Sequence, residues 1–248
     1  MKTKFVPVKE VFFAAKTGFL SRAIWEECFS KRSRTQNIRV WRALVDKKYF
    51  APHNSNRMDD VLVLGEAGKN LVEAKGGEFV SPPHINQITH DEVVSRIALG
   101  LMESKIVTAL QTEGELRQKY MGWIKKTREG REAKLPDLLL EIKGPVQNIK
   151  VALEIELSRK NPERYRKVMN SYASQKTAER VVFISDEEYI FDRLAKAMKD
   201  THYPSWEKPI GFSRLKEWTK NPLTADIYFS DEKTTLENLA SAKSKKVA

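Results

Sequence analysis

Between Pro136 and Tyr172 the chain reads PDLLLEIKGPVQNIKVALEIELSRKNPERYRKVMNSY, two alternating runs followed by a helical one. In the first run Asp137, Leu139 and Glu141 fall on one side and Leu138, Leu140 and Ile142 on the other, the period of a β-strand. Lys143 to Asn148 makes a loop. The second run places Val151, Leu153, Ile155 and Leu157 on one face and Ala152, Glu154, Glu156 and Ser158 on the opposite one. Period two forces Glu154 and Glu156 to point the same way, and hairpin pairing of the two strands brings Asp137 beside them. Carboxylates gathered like this repel each other, and a divalent cation with a preference for hard oxygen ligands, Mg²⁺ or Mn²⁺, is the usual means of holding them together. An amphipathic strand with its acids facing water gives the same letters, so alternation alone leaves both readings open.

The residues that follow carry the argument further. Asn161, Pro162 and Glu163 form a helix start, with a capping side chain, a proline at the first helical position and an acid near the positive end of the helix dipole. Tyr165, Val168, Met169 and Tyr172 recur at helical spacing, a stripe expected to pack on the sheet. Arg159, Lys160, Arg164, Arg166 and Lys167 remain around the acidic strand end, and a site that handles phosphates needs both metal ligands and positive charge. Pro136 and Asp137, a gap, and then Glu154, Ile155 and Glu156 before a helix resemble the PD-(D/E)xK nuclease superfamily. The resemblance implies a core ordered helix, three strands, helix, strand, with Mg²⁺ or Mn²⁺ held by Asp137 and Glu154. Where the superfamily usually has lysine this chain has Glu156, as in restriction endonucleases that use E-x-E, and Lys160 one helical turn on is an alternative source of the positive charge. The catalytic candidates are therefore Asp137, Glu154, Glu156 and Lys160.

Across 248 residues, 44 Lys plus Arg stand against 33 Asp plus Glu, a formal net charge of +11 that favours a polyanionic partner, with nucleic acid first. Cys28 is the single cysteine, which excludes an intramolecular disulfide and a cysteine-based zinc site. No run approaches the roughly 18 apolar residues of a membrane span, and Lys9 and Lys16 interrupt the N-terminal apolar stretch. The expectation is a soluble, cytoplasmic protein with no membrane partner.

The first 78 residues read as a separate module. Val8, Val11, Phe12 and Ala15 mark one helix closed by Gly18, and a second spans about Leu20 to Phe29. Ser33 and Gln36 have the spacing of a capping box for a third, ending near Lys47. On that helix Ile38, Trp41, Leu44 and Val45 lie on one side. Arg32, Arg34, Thr35, Gln36, Arg39 and Arg42 fall on or beside the other, where cations suit phosphates and amide or guanidinium groups suit base edges. Tyr49 and Phe50 begin a strand, Pro52 to Asp60 is a polar loop, and Val61 to Leu64 is the returning strand. The order resembles the winged helix-turn-helix family over roughly residues 5 to 78. By that resemblance the third helix reads the DNA groove and the wing, with His53, Asn54, Asn56 and Arg57, touches the backbone.

Residues 79–87 read as a linker. Thr89 and Glu92 have capping-box spacing for a helix with Val93, Val94, Ile97 and Leu101 inward, and Ile106 to Thr112 reads as the first strand of the second domain, 88–235. A basic segment from Lys119 to Arg131 precedes Pro136. Further on, Arg180 to Ser185 is a buried strand, Glu187 to Lys199 a helix, Ile210 to Leu215 a strand and Ile227 to Phe229 a short edge strand. Residues 236–248 read as a disordered basic tail. The fold class expected is mixed α/β, a winged helix-turn-helix followed by a PD-(D/E)xK restriction-endonuclease-like core. That combination, with His90 opening the core helix, resembles the replication-relaxation family of plasmids and integrating elements. The resemblance implies a double-stranded-DNA-binding accessory factor in plasmid replication or mobilisation, with replication or relaxase proteins as partners and a homodimer as an option. The alternative is a Mg²⁺-dependent DNA endonuclease.

Overall fold

The computed structural model describes residues 6–53, 60–126, 134–204, 207–230 and 232–241. The chain is mixed α/β and divides into two compact units, residues 1–92 and 93–248. Arg57, Asn54 and Asn56 of the expected wing, residues 127–131 of the basic segment ahead of Pro136, and residues 242–248 lie outside the described residues.

In the first unit, α1 (Val8–Thr17) ends at Gly18, whose φ of 88° continues the chain in a left-handed turn. Leu20 and Ser21 then form a short strand, β1, where a helix was expected. The reason is tertiary: Leu20 and Ser21 pair with Leu62 and Val61, and the Ser21 hydroxyl accepts from Ile24 N to start the helix at Arg22. That helix, α2 (Arg22–Ile24), continues as a π-helical turn over Trp25–Phe29. Next comes α3 (Arg34–Asp46), opened by the expected capping box of Ser33 and Gln36. β2 (Phe50–Pro52) and β3 (Val61–Leu64) pair antiparallel, giving a three-stranded sheet in the order β1-β3-β2, followed by α4 (Glu66–Glu73). Trp25 and Trp41 pack with ring centroids 5.3 Å apart and planes tilted by 48°, which fixes α3 on the core by its apolar side.

The stretch read as a linker is tied to the first unit, since Val80 is buried and its N–H donates to Ala15 O. A 3₁₀ turn over Ile85–Gln87 leads into α5 (Ile88–Met102). Thr89 therefore lies inside the helix and does not cap it; His84 Nδ1 accepts from Asn86 N at the start of the turn instead.

The second unit is built on a seven-stranded sheet. β4 (Val107–Thr112), β5 (Leu138–Ile142) and β6 (Ile149–Ile155) form an antiparallel meander, with α6 (Glu113–Lys119) and α7 (Met121–Lys126) following β4. After β6, α8 (Pro162–Ser174) crosses to β7 (Arg180–Ile184), which lies parallel to β6. α9 (Glu188–Asp200) then leads to β8 (Ile210–Ser213), again parallel. α10 (Leu215–Lys220), β9 (Ile227–Tyr228), β10 (Lys233–Thr234) and α11 (Leu236–Ser241) complete the unit. β9 is not the sheet edge, because β10 pairs beyond it. Residues 236–241, expected to begin a disordered tail, form a helix because Leu236 and Leu239, one turn apart, are buried against the sheet.

The two faces of the meander match the alternation of the sequence. Leu138, Leu140, Ile142, Val151, Leu153 and Ile155 pack with Val94, Ile97 and Leu101 of α5 on one side. Leu139 and Ala152 pack on the other with Tyr165, Val168, Met169 and Tyr172, so the stripe of α8 covers the face that carries the acids.

Candidate functional site

That covering decides how the three acids live. Asp137 is 6 % exposed, Glu154 1 % and Glu156 2 %, so the reading in which they face water does not hold. Leu138 pairs with Leu153, and the same register carried one step outward brings Asp137 opposite Glu154. Asp137 Oδ2 accepts from Ile155 N at 2.7 Å, a backbone hydrogen bond that fixes the carboxylate at the mouth of the hairpin.

Burying a carboxylate requires partners, and Glu154 has one for each oxygen. Oε1 accepts a short hydrogen bond from the Tyr172 hydroxyl, delivered by the last turns of α8. Oε2 lies 3.0 Å from Lys134 Nζ, and the same ammonium is 3.7 Å from Asp137 Oδ1. Burial pushes the Glu154 carboxyl up to about 7; Lys134 pulls it down and Asp137 pushes it further up. For Lys134 burial works against the charge, but the fields of Glu154, then Asp137 and Glu113, outweigh it and hold the ammonium above the ordinary lysine range. Tyr172 is held well above the ordinary phenol range by burial and by the carboxylate it serves. Lys134 thus stays charged and Tyr172 stays protonated, while burial holds the Glu154 carboxyl up at about 7.

Lys134 was absent from the candidates read from the sequence. Its signal was weak: a lysine three residues before Asp137, outside the strand pattern and just past the end of the basic segment Lys119 to Arg131. The lysine that was singled out, Lys160, does another job. Its Nζ lies 2.5 Å from Oε1 of Glu156, four residues earlier in the chain, while Glu156 Oε2 is buried without a hydrogen-bond partner. Lys160 N also donates to the Tyr165 hydroxyl. The strand end therefore carries three ion pairs, Lys134 with Glu154 and with Asp137, and Lys160 with Glu156.

The fit of a divalent ion follows from these bonds. Mg²⁺ and Mn²⁺ require several oxygen ligands converging on one point. Here both Glu154 oxygens and Asp137 Oδ2 are engaged, and the point between the two carboxylates is reached by an ammonium. Among the described residues no group of three His, Cys, Asp or Glu side chains is disposed to hold a metal ion. The cluster as arranged does not fit the expected metal.

In the first unit Arg32, Arg34, Thr35, Gln36, Arg39 and Arg42 are all exposed, while Asn37, Trp41 and Leu44 of the same helix are buried. Ser30 donates to Asn37 Oδ1 at 2.6 Å, which satisfies the buried amide and anchors the start of α3. Gln36 is partly committed, since its Oε1 accepts from Ser33 N in the capping box. His53, expected on the wing, turns inward: its Nε2 lies 3.1 Å from Pro83 O. Glu92 borders a surface hollow of the first unit with Arg22, Glu26 and Asp60.

No protein-family model matches the chain, and no curated protein matches it. Among the described residues no helix is long and apolar enough to cross a membrane.

Proposed function

We propose that this protein binds double-stranded DNA through α3 and that its second unit acts by binding and not by cleaving. The observation that carries the reading is the exposed row Arg34, Thr35, Gln36, Arg39 and Arg42 on a helix whose opposite side is pinned by Trp41 and Leu44. Such a helix presents cations to phosphates and an amide and guanidinium groups to base edges, on a rigid support. The order α1, β1, α2, α3, β2, β3 with the sheet β1-β3-β2 supports a winged helix-turn-helix. In the second unit the order α5, three antiparallel strands, α8 and a parallel β7 supports a PD-(D/E)xK-like core. Under this reading the protein is a cytoplasmic accessory factor of the replication-relaxation type, with replication or relaxase proteins as further partners and, by the symmetry of many DNA sites, a homodimer as one binding form.

The test is a gel shift of the full chain on plasmid DNA carrying its native flanking sequence. A salt-sensitive complex that is lost on changing Gln36, Arg39 and Arg42 together to Ala supports the reading; an unchanged affinity refutes it. The second reading, a Mg²⁺- or Mn²⁺-dependent endonuclease, draws on one observation, the partnerless buried Oε2 of Glu156. Incubation of supercoiled plasmid with either ion examines it directly, and nicking that vanishes in both Asp137→Ala and Glu154→Ala would replace the binding-only reading.

A further inference from the structure

We propose that Lys134 is a built-in counter-ion: its ammonium takes the cation position between Asp137 and Glu154, so that this pair recruits no divalent ion, and removing the ammonium opens a divalent-cation site. The geometry is that of a bridging cation, with Nζ 3.0 Å from Glu154 Oε2 and 3.7 Å from Asp137 Oδ1. Two carboxylates that face each other across a hairpin need positive charge between them, and here the chain supplies it.

Lys134 is also held in place. Its N–H donates to Ser171 Oγ at 2.7 Å, its carbonyl accepts from Gln175 Nε2 at 3.0 Å, and Nζ donates to Leu135 O at 2.8 Å. Gln175 Nε2 donates to Ser171 Oγ as well, at 2.5 Å, so the end of α8 forms a clasp around the backbone of residue 134. A tethered ammonium of this kind competes with any free ion as an intramolecular ligand, at an effective concentration set by the tether and not by the medium. It gains hydrogen bonds that an ion would have to break, and it leaves the cluster short of the converging oxygens that Mg²⁺ demands.

The consequence is a reversal of the usual dependence. Acid pairs that hold a metal lose stability on chelation, whereas this unit keeps its stability in chelator and takes up an ion only when Lys134 is neutralised. The proposal is independent of the DNA-binding reading, because its test contains no nucleic acid.

The experiment measures Mn²⁺ binding by electron paramagnetic resonance, and the unfolding midpoint with Mn²⁺ or with chelator, for the full chain and for Lys134→Met. The expected result is no saturable Mn²⁺ site and no change of midpoint in the wild type. One saturable site is expected in Lys134→Met, with a midpoint raised by Mn²⁺, both abolished by adding Asp137→Asn. A saturable wild-type site that disappears in Asp137→Asn overturns the proposal, as does a folded Lys134→Met that binds no Mn²⁺. If Lys134→Met does not fold, Lys134→Met combined with Glu154→Gln removes the charges together. That double variant is expected to fold, and its failure to do so also overturns the counter-ion role.

Discussion

Lys134 Nζ stands 3.0 Å from Glu154 Oε2, with one partner just ahead of β5 and the other near the end of β6. Glu154 is 1 % exposed and the Lys134 side chain 27 %, so the carboxylate is the member that cannot turn to water. Truncating the lysine leaves a buried charge without its counterpart. Lys134→Ala is expected to lower the stability of the second unit by about 3 kcal/mol, measured by urea unfolding, whereas Lys134→Met with Glu154→Gln recovers most of the loss. Equal losses in the single and double variants would show that the pair contributes only through packing.

The elevated proton affinity of Glu154 makes stability depend on pH. In the unfolded chain the carboxyl ionises around its ordinary 4.5, while in the fold it holds its proton up to about 7. Its contribution therefore favours the folded state below pH 4.5 and is lost as pH rises through 7. Glu154→Gln keeps acceptor and donor atoms in the same place without titrating. Relative to wild type the variant is expected to gain stability steadily across that window and to level off above it. Denaturant midpoints at a series of pH values check this, and a difference that stays flat across the window contradicts it.

Tyr172 gives Glu154 its other hydrogen bond and is itself fully buried. Tyr172→Phe keeps the ring that packs edge-on against Phe183 and removes only the donor. A hydrogen bond to a charged group is worth about 1.5–3 kcal/mol. The variant should lose stability on that scale above neutrality and less in acid, where Glu154 is protonated. It should also shift the Glu154 titration upward, since the bond lowers the carboxyl's proton affinity, a change that carbon-13 chemical shifts of the carboxyl would report.

On α3, exposure and burial separate binding from folding. Arg39→Ala or Arg42→Ala should leave the unfolding midpoint within experimental scatter. Where the guanidinium meets a base edge, either should reduce discrimination between DNA sites by about 1–3 kcal/mol. Trp41→Ala should instead destabilise the first unit by about 3–5 kcal/mol, through loss of the ring contact with Trp25 and the cavity left behind. Competition gel shifts and thermal unfolding of the same three proteins distinguish the two roles.

Gly18 carries a backbone requirement that a side chain cannot meet. Its φ is 88°, and a Cβ there would come within 2.6 Å of Ser81 O. Gly18→Ala is expected to cost more than about 1 kcal/mol and to loosen the 79–87 segment from the first unit, seen as faster amide exchange at Val80, whose N–H is bonded to Ala15 O.

The strand alternation, the α8 stripe and the capping box at Ser33 could be read locally, because each depends on residues within a few positions of one another. Thr89 and Glu92 had the same spacing and did not cap, since the turn at Ile85–Gln87 carries the helix start upstream. Leu20 and Ser21 followed helical periodicity but were claimed by Val61 and Leu62, partners that no local window contains.

The candidate site divides along the same line. Period two by itself put Glu154 and Glu156 on one face and Asp137 within reach, because pleat geometry leaves no other arrangement for a paired strand. It could not say whether that face met water or α8, nor which of two lysines would serve which acid. Those outcomes rest on where a helix lands on a sheet and on a side chain arriving from a neighbouring segment. Sequence therefore determined the face on which the acids lie, and only the tertiary structure decided that they are buried, that Lys134 neutralises them, and that Lys160 is spent on Glu156.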